Sequence, residues 1–243
     1  MSKQDPSRRI ALGVVAALGT QSLIGCGDSS SGNDAGMAGE MSAGEMSAGE
    51  MSAGEVMPEL CDLTPAQVEG PFYFPIEETR VEMAVGQAGV PLQLSITVQN
   101  DNCDPIPDAL VEVWHADAAG IYSGFGGQAV DTTGQDFLRG EGNTAASGEV
   151  TFLTIYPGWY PGRAVHIHLK VSVNGSLKLT SQLYLPDEIS RQVYLDPSYN
   201  GRGEQDTSLE ADGILSRTIG RDGLVADVEP NNSGYHARLH VTV

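Results

Sequence analysis

Hydrophobic and polar residues alternate over much of the chain beyond residue 59, and a period of two is typical of a β-strand with one buried face. The alternation is clearest in residues 92–98, 109–115, 149–155, 163–173 and 236–243. Glycine- and proline-rich turns separate these segments. The pattern predicts an all-β fold, a β-sandwich of mostly antiparallel strands.

The longest alternating segment, residues 163–173, carries two histidines. Its valines, isoleucine and leucine occupy the odd positions, whereas His166 and His168 occupy even positions and share the opposite face. Asn174-Gly175 then predicts a two-residue hairpin turn into a strand at 177–185.

Two segments depart from the strand period. Residues 186–194 and 208–215 have the spacing of short helices. We therefore expect a helical turn in each, set into an otherwise all-β domain.

The N-terminal residues 1–26 predict an export signal. Lys3, Arg8 and Arg9 precede an apolar run at 10–24 that is too short for a membrane-spanning helix. The run ends in Leu-Ile-Gly-Cys, which resembles a bacterial lipobox, so Cys26 is the predicted site of a lipid anchor. The paired arginines also resemble a twin-arginine signal, and general secretion remains open.

Residues 27–58 are of low complexity. Met-Ser-Ala-Gly-Glu occurs three times in tandem over 41–55. Such a segment buries too little apolar surface to offset its chain entropy, which predicts a disordered tether. Residues 59–243 are then the folded domain, which we expect to be held at the periplasmic or extracellular face of the bacterial cell envelope.

Charge excludes one class of partner. The chain has 13 Lys and Arg against 32 Asp and Glu, a formal net charge of −19. Nucleic acid needs a basic footprint, so no nucleic-acid partner is expected.

The number of cysteines indicates whether the chain can form a disulfide. Besides Cys26 the chain has only Cys61 and Cys103. An even pair in an exported chain predicts one disulfide, with two free thiols as the alternative.

The two histidines have chemically suggestive neighbours. A spacing of two on a strand puts both imidazoles on one face, where they can converge on one metal ion. Alone the pair is a weak motif. The preceding aromatic turn, residues 156–163, would place Tyr160 and Arg163 beside it.

Together these segments resemble the intradiol aromatic-ring dioxygenases, the group that includes catechol and protocatechuate dioxygenases. The resemblance runs in order over residues 61–188. Its segments are 64–73, the strand and loop 108–123, Leu138-Arg139-Gly140, the turn and strand 157–168, and Thr180–Tyr184.

The resemblance implies a metal centre formed by the long loops. In this family two tyrosinates and two imidazoles hold one Fe(III) per chain, and the matching residues are Tyr122, Tyr160, His166 and His168. Anionic phenolate oxygen suits a hard trivalent ion, and imidazole nitrogen completes the shell. His115 is predicted to be structural.

The resemblance also implies a reaction. Both atoms of O2 enter a small aromatic diol, and the ring opens between the two hydroxylated carbons to a muconate-type diacid. Tyr160 would leave the metal and act as a base, Arg163 would stabilise negative charge on the ring, and Gln182 would be a nearby polar contact.

Other interpretations stay open at this point. Tyr122 could pack on Trp114, Tyr160 could close a corner of the sandwich, and Arg163 could pair with a carboxylate. The domain could then be a non-catalytic binding module, a zinc or copper protein using the histidine pair, or a structural envelope protein. The sequence does not select a particular catechol or an oligomeric state.

Overall fold

The computed structural model describes residues 60–199 and 201–243. The predicted export signal, 1–26, with its lipid-anchor site and the predicted tether, 27–58, lie outside the described residues. In the described part of the chain, no helix combines the length and apolar character needed to cross a membrane.

Within these residues the chain forms eight strands and one α-helix. They are β1 Pro91–Gln99, β2 Leu110–Trp114, β3 Arg139–Asn143, β4 Glu149–Ile155, β5 His166–Val173, β6 Ser176–Tyr184, α1 Asp187–Val193, β7 Asp227–Pro230 and β8 Tyr235–Thr242. The predicted all-β class is confirmed.

The strands form two four-stranded sheets. One has the order β4-β1-β8-β7 and the other β3-β2-β5-β6. Neighbouring strands are antiparallel except for the parallel pair β1 and β8. The architecture is the predicted sandwich of mostly antiparallel strands.

The core between the sheets follows from the alternation. On β1, Leu92, Leu94, Ile96 and Val98 are all buried in the main hydrophobic cluster. Full burial of one such side chain contributes about 1.5–3 kcal/mol. From β5 the odd positions, such as Ile167, enter the same cluster, so the even positions lie on the outer face of their sheet.

The hairpin between β5 and β6 has the predicted turn. Asn174 and Gly175 both have positive φ, 52° and 73°. A two-residue turn of this conformation matches the twist of the flanking strands. Together with a shift of register between Val171 and Ser172, it leads to the pairing in which His168 lies opposite Gln182 and His166 opposite Tyr184.

The helix prediction is right in one place and wrong in the other. The predicted segment 186–194 contains α1. Residues 208–215 instead form turns that lead into a short 3₁₀ helix, Leu215–Arg217. Asp212 and its hydrogen bonds determine the backbone there, as described below, and a regular helix does not form.

The predicted disulfide is present and joins Cys61 to Cys103, with a Cα–Cα distance of 5.4 Å. The segment after Cys61 bridges the two sheets. Thr64 N donates to Thr242 O of β8, and Gln67 N donates to Thr180 O of β6. This path leads residues 69–73 onto the outer face of the β5 sheet.

Candidate metal centre

The predicted metal ligands come from two loops and one strand. Tyr122 lies in the loop between β2 and β3, and Tyr160 lies in the turn before β5. His166 and His168 are the first and third residues of β5. Because strand alternation puts both imidazoles on the outer face of the sheet, the two loops can bring the phenols to them.

The four side chains converge on one atom, Nε2 of His166. Tyr160 Oη is 3.1 Å away, Tyr122 Oη is 3.4 Å away, and His168 Nε2 is 3.2 Å away. The structure therefore brings together all four residues that the sequence predicted as ligands.

The tautomer of His166 leaves this atom available to a metal. Its Nδ1 lies 2.7 Å from the carbonyl oxygen of Ala164, which can only accept, so Nδ1 carries the proton and donates. Burial and, next, the charge of Arg163 lower the pKa of His166 to about 3. At neutral pH the ring is uncharged and Nε2 presents a lone pair.

His168 is held by packing. Its ring stacks on the indole of Trp114 with centroids 4.9 Å apart and planes 6° apart. Its Nδ1 is buried and has no hydrogen-bond partner. Gly70 closes the other side, where an added Cβ would lie 3.1 Å from the imidazole. Burial and then the neighbouring His166 hold the pKa of His168 well below its usual range.

The phenol of Tyr122 is buried, and that of Tyr160 is half-buried. Tyr122 is 1% exposed and stacks on Phe72 with ring centroids 4.6 Å apart. Burial, followed by the proximity of Tyr160, raises the pKa of Tyr122, and burial also raises the pKa of Tyr160. A bound cation reverses this preference by stabilising the phenolate.

The residues present fit a hard, highly charged metal ion. Two phenol oxygens and two uncharged imidazole nitrogens meet within about 3.4 Å of a common point. Oxygen donors of this kind favour a hard ion, and imidazole suits iron. One buried ring nitrogen without a partner, Nδ1 of His168, is also the kind of group found at functional sites.

Arg163 lies against this donor set. Its Nη2 donates to Gln182 Oε1 at 2.6 Å and to Tyr184 Oη at 3.1 Å. Nη1 is 3.5 Å from Nε2 of His166. Gln182 also donates from Nε2 to the carbonyl of Val68, so both ends of its amide are engaged.

The arginine also has a partner that no sequence motif indicates. Asp212 Oδ2 accepts from Arg163 Nε at 2.8 Å, and the carboxylate is fully buried. No motif signals this pair, because 49 residues separate the two positions and Asp212 sits in the segment wrongly predicted as helical.

His115 is placed differently, in agreement with its predicted structural role. Its Nδ1 donates to the carbonyl of Ala116 at 2.8 Å, and its Nε2 accepts from the hydroxyl of Thr154 at 2.7 Å. Thr154 belongs to β4 of the other sheet. His115 therefore joins the two sheets inside the sandwich and does not reach the tyrosines.

The packing alternatives are partly true. Tyr122 does share an aromatic cluster with Trp114, and Tyr160 packs against that cluster. Arg163 does pair with a carboxylate. These contacts coexist with the convergence on His166, so packing holds the donor atoms in place and does not turn them away.

A cleft of about 310 Å³ opens beside the tyrosines. Its lining includes Tyr122, Tyr160, Phe72 and Arg202. The volume suits a small ring compound, since ligand pockets begin at roughly this size.

Comparison with known proteins agrees with this geometry. A family profile described as "Dioxygenase" matches residues 68–197. The chain is 34% identical over 175 residues to the protocatechuate 3,4-dioxygenase beta chain of Burkholderia cepacia, covering 66% of this chain and 69% of that one. It is 28% identical over 184 residues to catechol 1,2-dioxygenase 1 of Acinetobacter lwoffii, covering 61% of this chain and 58% of the relative's length.

A solved structure shares the fold. The intradiol ring-cleavage dioxygenase from Tetranychus urticae superposes with a TM-score of 0.69 at 28% identity, over 75% of this chain and 94% of that chain. The matched profile spans more than half of the sequence and includes Tyr122, Tyr160, Arg163, His166 and His168. The chain belongs to the intradiol ring-cleavage dioxygenase family.

Proposed function

We propose that the protein is a non-haem Fe(III)-dependent intradiol dioxygenase, with one iron per chain held by Tyr122, Tyr160, His166 and His168. The observation that carries the proposal is the convergence of both phenols and both imidazoles on one point of a family member. The substrate class is a catechol-type aromatic diol, and the product is a muconate-type diacid that contains both atoms of O2.

Bound iron would supply a Lewis acid that makes a catechol ring reactive towards O2. The protein's own residues support this chemistry in several ways. Uncharged His166 and His168 donate nitrogen lone pairs at neutral pH. Burial raises the pKa of Tyr122 and of Tyr160, so both phenols would become anionic ligands only with the metal, which would couple metal binding to proton release.

Tyr160 is the residue that we assign to proton transfer. Its phenol is 3.1 Å from His166 Nε2 and lines the cleft, so it faces both the ligand set and the substrate space. A Tyr160 phenolate that is free of the metal would accept the proton of a catechol hydroxyl, because it is a stronger base than a phenolate that is bound to a metal ion.

Arg163 and Gln182 act on the negative charge that develops on the substrate ring. The guanidinium is always protonated, and Nη1 faces the donor set, where it stabilises negative charge on the ring. Gln182 accepts from Arg163 and donates to the backbone of Val68, so its contribution is to orient the arginine.

The non-catalytic binding module is the weaker alternative. It explains the fold and the aromatic cleft, but it gives no reason for two imidazoles and two phenols to converge. Family membership also favours the enzyme.

We further propose that the domain works outside the cytoplasm, anchored through lipidated Cys26. Support comes from the basic and apolar segment that precedes this cysteine and from the Cys61–Cys103 disulfide, which suits an oxidising compartment. Labelled palmitate should be incorporated into the wild-type chain in a bacterial host and should not be incorporated after Cys26→Ser.

The enzymatic proposal is tested with iron-loaded protein, a panel of catechol, hydroxyquinol and protocatechuate, and labelled O2. We expect oxygen uptake and a ring-opened diacid carrying both labelled atoms from at least one diol, and a loss on the order of a thousandfold after His168→Ala, because the Lewis acid contributes several kcal/mol. Asp222→Asn, an exposed position, is the matched control.

Two results would contradict this function. One is iron-replete protein that consumes no oxygen with any diol of the panel. The other is a product opened beside, and not between, the hydroxylated carbons.

A further inference from the structure

Asp212 is the one carboxylate that reaches the guanidinium of Arg163 within the described residues. It lies beyond the residues that match the family profile, 68–197, in the C-terminal part of the chain. Its side chain is fully buried. A charged group in such a place needs several hydrogen bonds to offset its lost hydration.

Four donors satisfy the carboxylate. Oδ2 accepts from Arg163 Nε at 2.8 Å and from the backbone N–H of Ala164 at 2.9 Å. Oδ1 accepts from the backbone N–H groups of Ile214 and Leu215, both at 2.9 Å. One oxygen is thus bound to the C-terminal segment and the other to the turn that precedes β5.

These contacts leave Arg163 little freedom. Nε is bound to Asp212 and Nη2 to Gln182 and Tyr184. A planar guanidinium that is fixed along two sides has one remaining direction for Nη1, and that direction is towards Nε2 of His166 at 3.5 Å.

We propose that Asp212 is a positioning residue, which acts through Arg163 and aims Nη1 of its guanidinium at the substrate held in the metal centre. The inference rests on the proposed function. The bond to Ala164 strengthens it, because backbone and side chain on either side of the Arg163 Cα are then fixed by the same oxygen.

The test uses the iron-loaded full chain with Asp212→Asn, Arg163→Met and the double variant. An amide nitrogen at Oδ2 would face two N–H donors and release the arginine, while the remaining amide oxygen can still accept from Ile214 and Leu215. We expect unchanged iron content and an unchanged resting visible spectrum. Asp222→Asn, an exposed carboxylate in the same C-terminal segment, should match the wild type in every measurement.

Two measurements report on the alignment of Arg163. Catalytic efficiency per bound iron should fall about ten- to a hundredfold in Asp212→Asn, the range for residues that orient a metal site. Catechol affinity, measured without oxygen from the spectral shift, should weaken as well. In the Arg163→Met background the same substitution should change neither value, because the group it positions is gone.

The outcomes separate this inference from the proposed function. Wild-type values for Asp212→Asn, or an equal loss with and without Arg163, overturn the positioning role while catalysis by the wild type stands. If the wild type binds catechol yet cleaves no ring, the proposed function fails. The catechol affinities of the wild type, the two single variants and the double variant still decide the role of Asp212.

A second variant covers the case in which Asp212→Asn does not fold. Arg163→Lys keeps the charge but has one nitrogen, which cannot contact Asp212 and Gln182 and still face the metal centre. We expect the same ten- to hundredfold loss. Wild-type efficiency in Arg163→Lys would overturn the requirement for alignment.

Discussion

Two kinds of buried histidine lie close together in this fold. His115 has both ring nitrogens satisfied, one by the Ala116 carbonyl and one by the Thr154 hydroxyl. The ring of His168 has a buried Nδ1 without a partner, and its Nε2 faces that of His166. All three are almost fully buried, so burial does not distinguish them.

What distinguishes them is where the lone pairs point. The Nε2 lone pair of His115 accepts a hydrogen bond from Thr154 in the other sheet, so this side chain helps to hold the two sheets together. The Nε2 atoms of His166 and His168 lie 3.2 Å apart, and two phenol oxygens lie within 3.4 Å of the first. These are four atoms that can bind a metal ion, which is why we propose a structural role for His115 and a metal-binding role for the other two histidines.

Substitution of His166 should give the largest difference from substitution of His115. We expect His166→Ala to reduce iron content from about one per chain to a small fraction and to lower ring cleavage on the order of a thousandfold, because the Lewis acid is lost. His115→Gln should retain its iron. Iron is quantified in both purified variants at equal amounts of folded protein. An equal loss of iron in both would mean that the two kinds of histidine do not differ in metal binding.

The second test is the pH dependence of stability in the metal-free protein. Burial lowers the pKa of His115 from 6.5 to about 4 in the folded chain. Between these values the unfolded chain binds a proton that the folded chain refuses, so stability is complete above pH 6.5 and is lost as pH falls towards 4. The loss from His115 is on the order of 3 kcal/mol.

Denaturant titrations at several pH values measure this effect. His115→Gln should reduce the slope of unfolding free energy against pH by about one proton between pH 4 and 6.5. An unchanged slope would mean that His115 is not held neutral by its surroundings.

A smaller effect is expected at the partner of His115. Thr154→Val removes the hydroxyl that donates to Nε2 and leaves a buried acceptor unsatisfied, which costs about 1–3 kcal/mol of unfolding free energy. Thr79→Val, at an exposed position, is the control. Iron content should stay at the wild-type level, and loss of iron in Thr154→Val would connect His115 to the metal centre after all.

The smallest expected effect concerns Trp114. Its indole stacks on His168, and aromatic pairs of this kind contribute about 0.5–1.5 kcal/mol. Trp114→Phe keeps an apolar ring there, so we expect iron affinity to fall by no more than about tenfold. A competition titration with a chelator measures the change, and complete loss of iron would show that the stack is indispensable.

Alternation in the sequence was enough to predict β1, β2, β4, β5, β6 and β8. It missed β3, whose sequence Arg-Gly-Glu-Gly-Asn has no apolar residue, and β7, which has only four residues. Both pair with well-patterned neighbours, so tertiary context and not local pattern makes them strands.

The convergence of the proposed ligands was predictable because the segment that resembles the family keeps Tyr160, Arg163 and the histidine pair within nine residues of one another. Their environment was not. The stacking of Trp114 on His168 depends on the pairing of β2 with β5. The contact of Asp212 with Arg163 joins residues that are 49 positions apart. Neither leaves a periodic signal in the sequence.

Under the proposed function, Fe(III) is held by Tyr122, Tyr160, His166 and His168, and His115 takes no part in the site. The most direct measurement is the visible spectrum of iron-loaded protein before and after catechol is added without oxygen. We predict a broad tyrosinate-to-iron band that shifts with catechol in the wild type and in His115→Gln, and no such band in His166→Ala. Wild-type protein that stays colourless after Fe(III) loading would show that these four residues do not form an Fe(III) site.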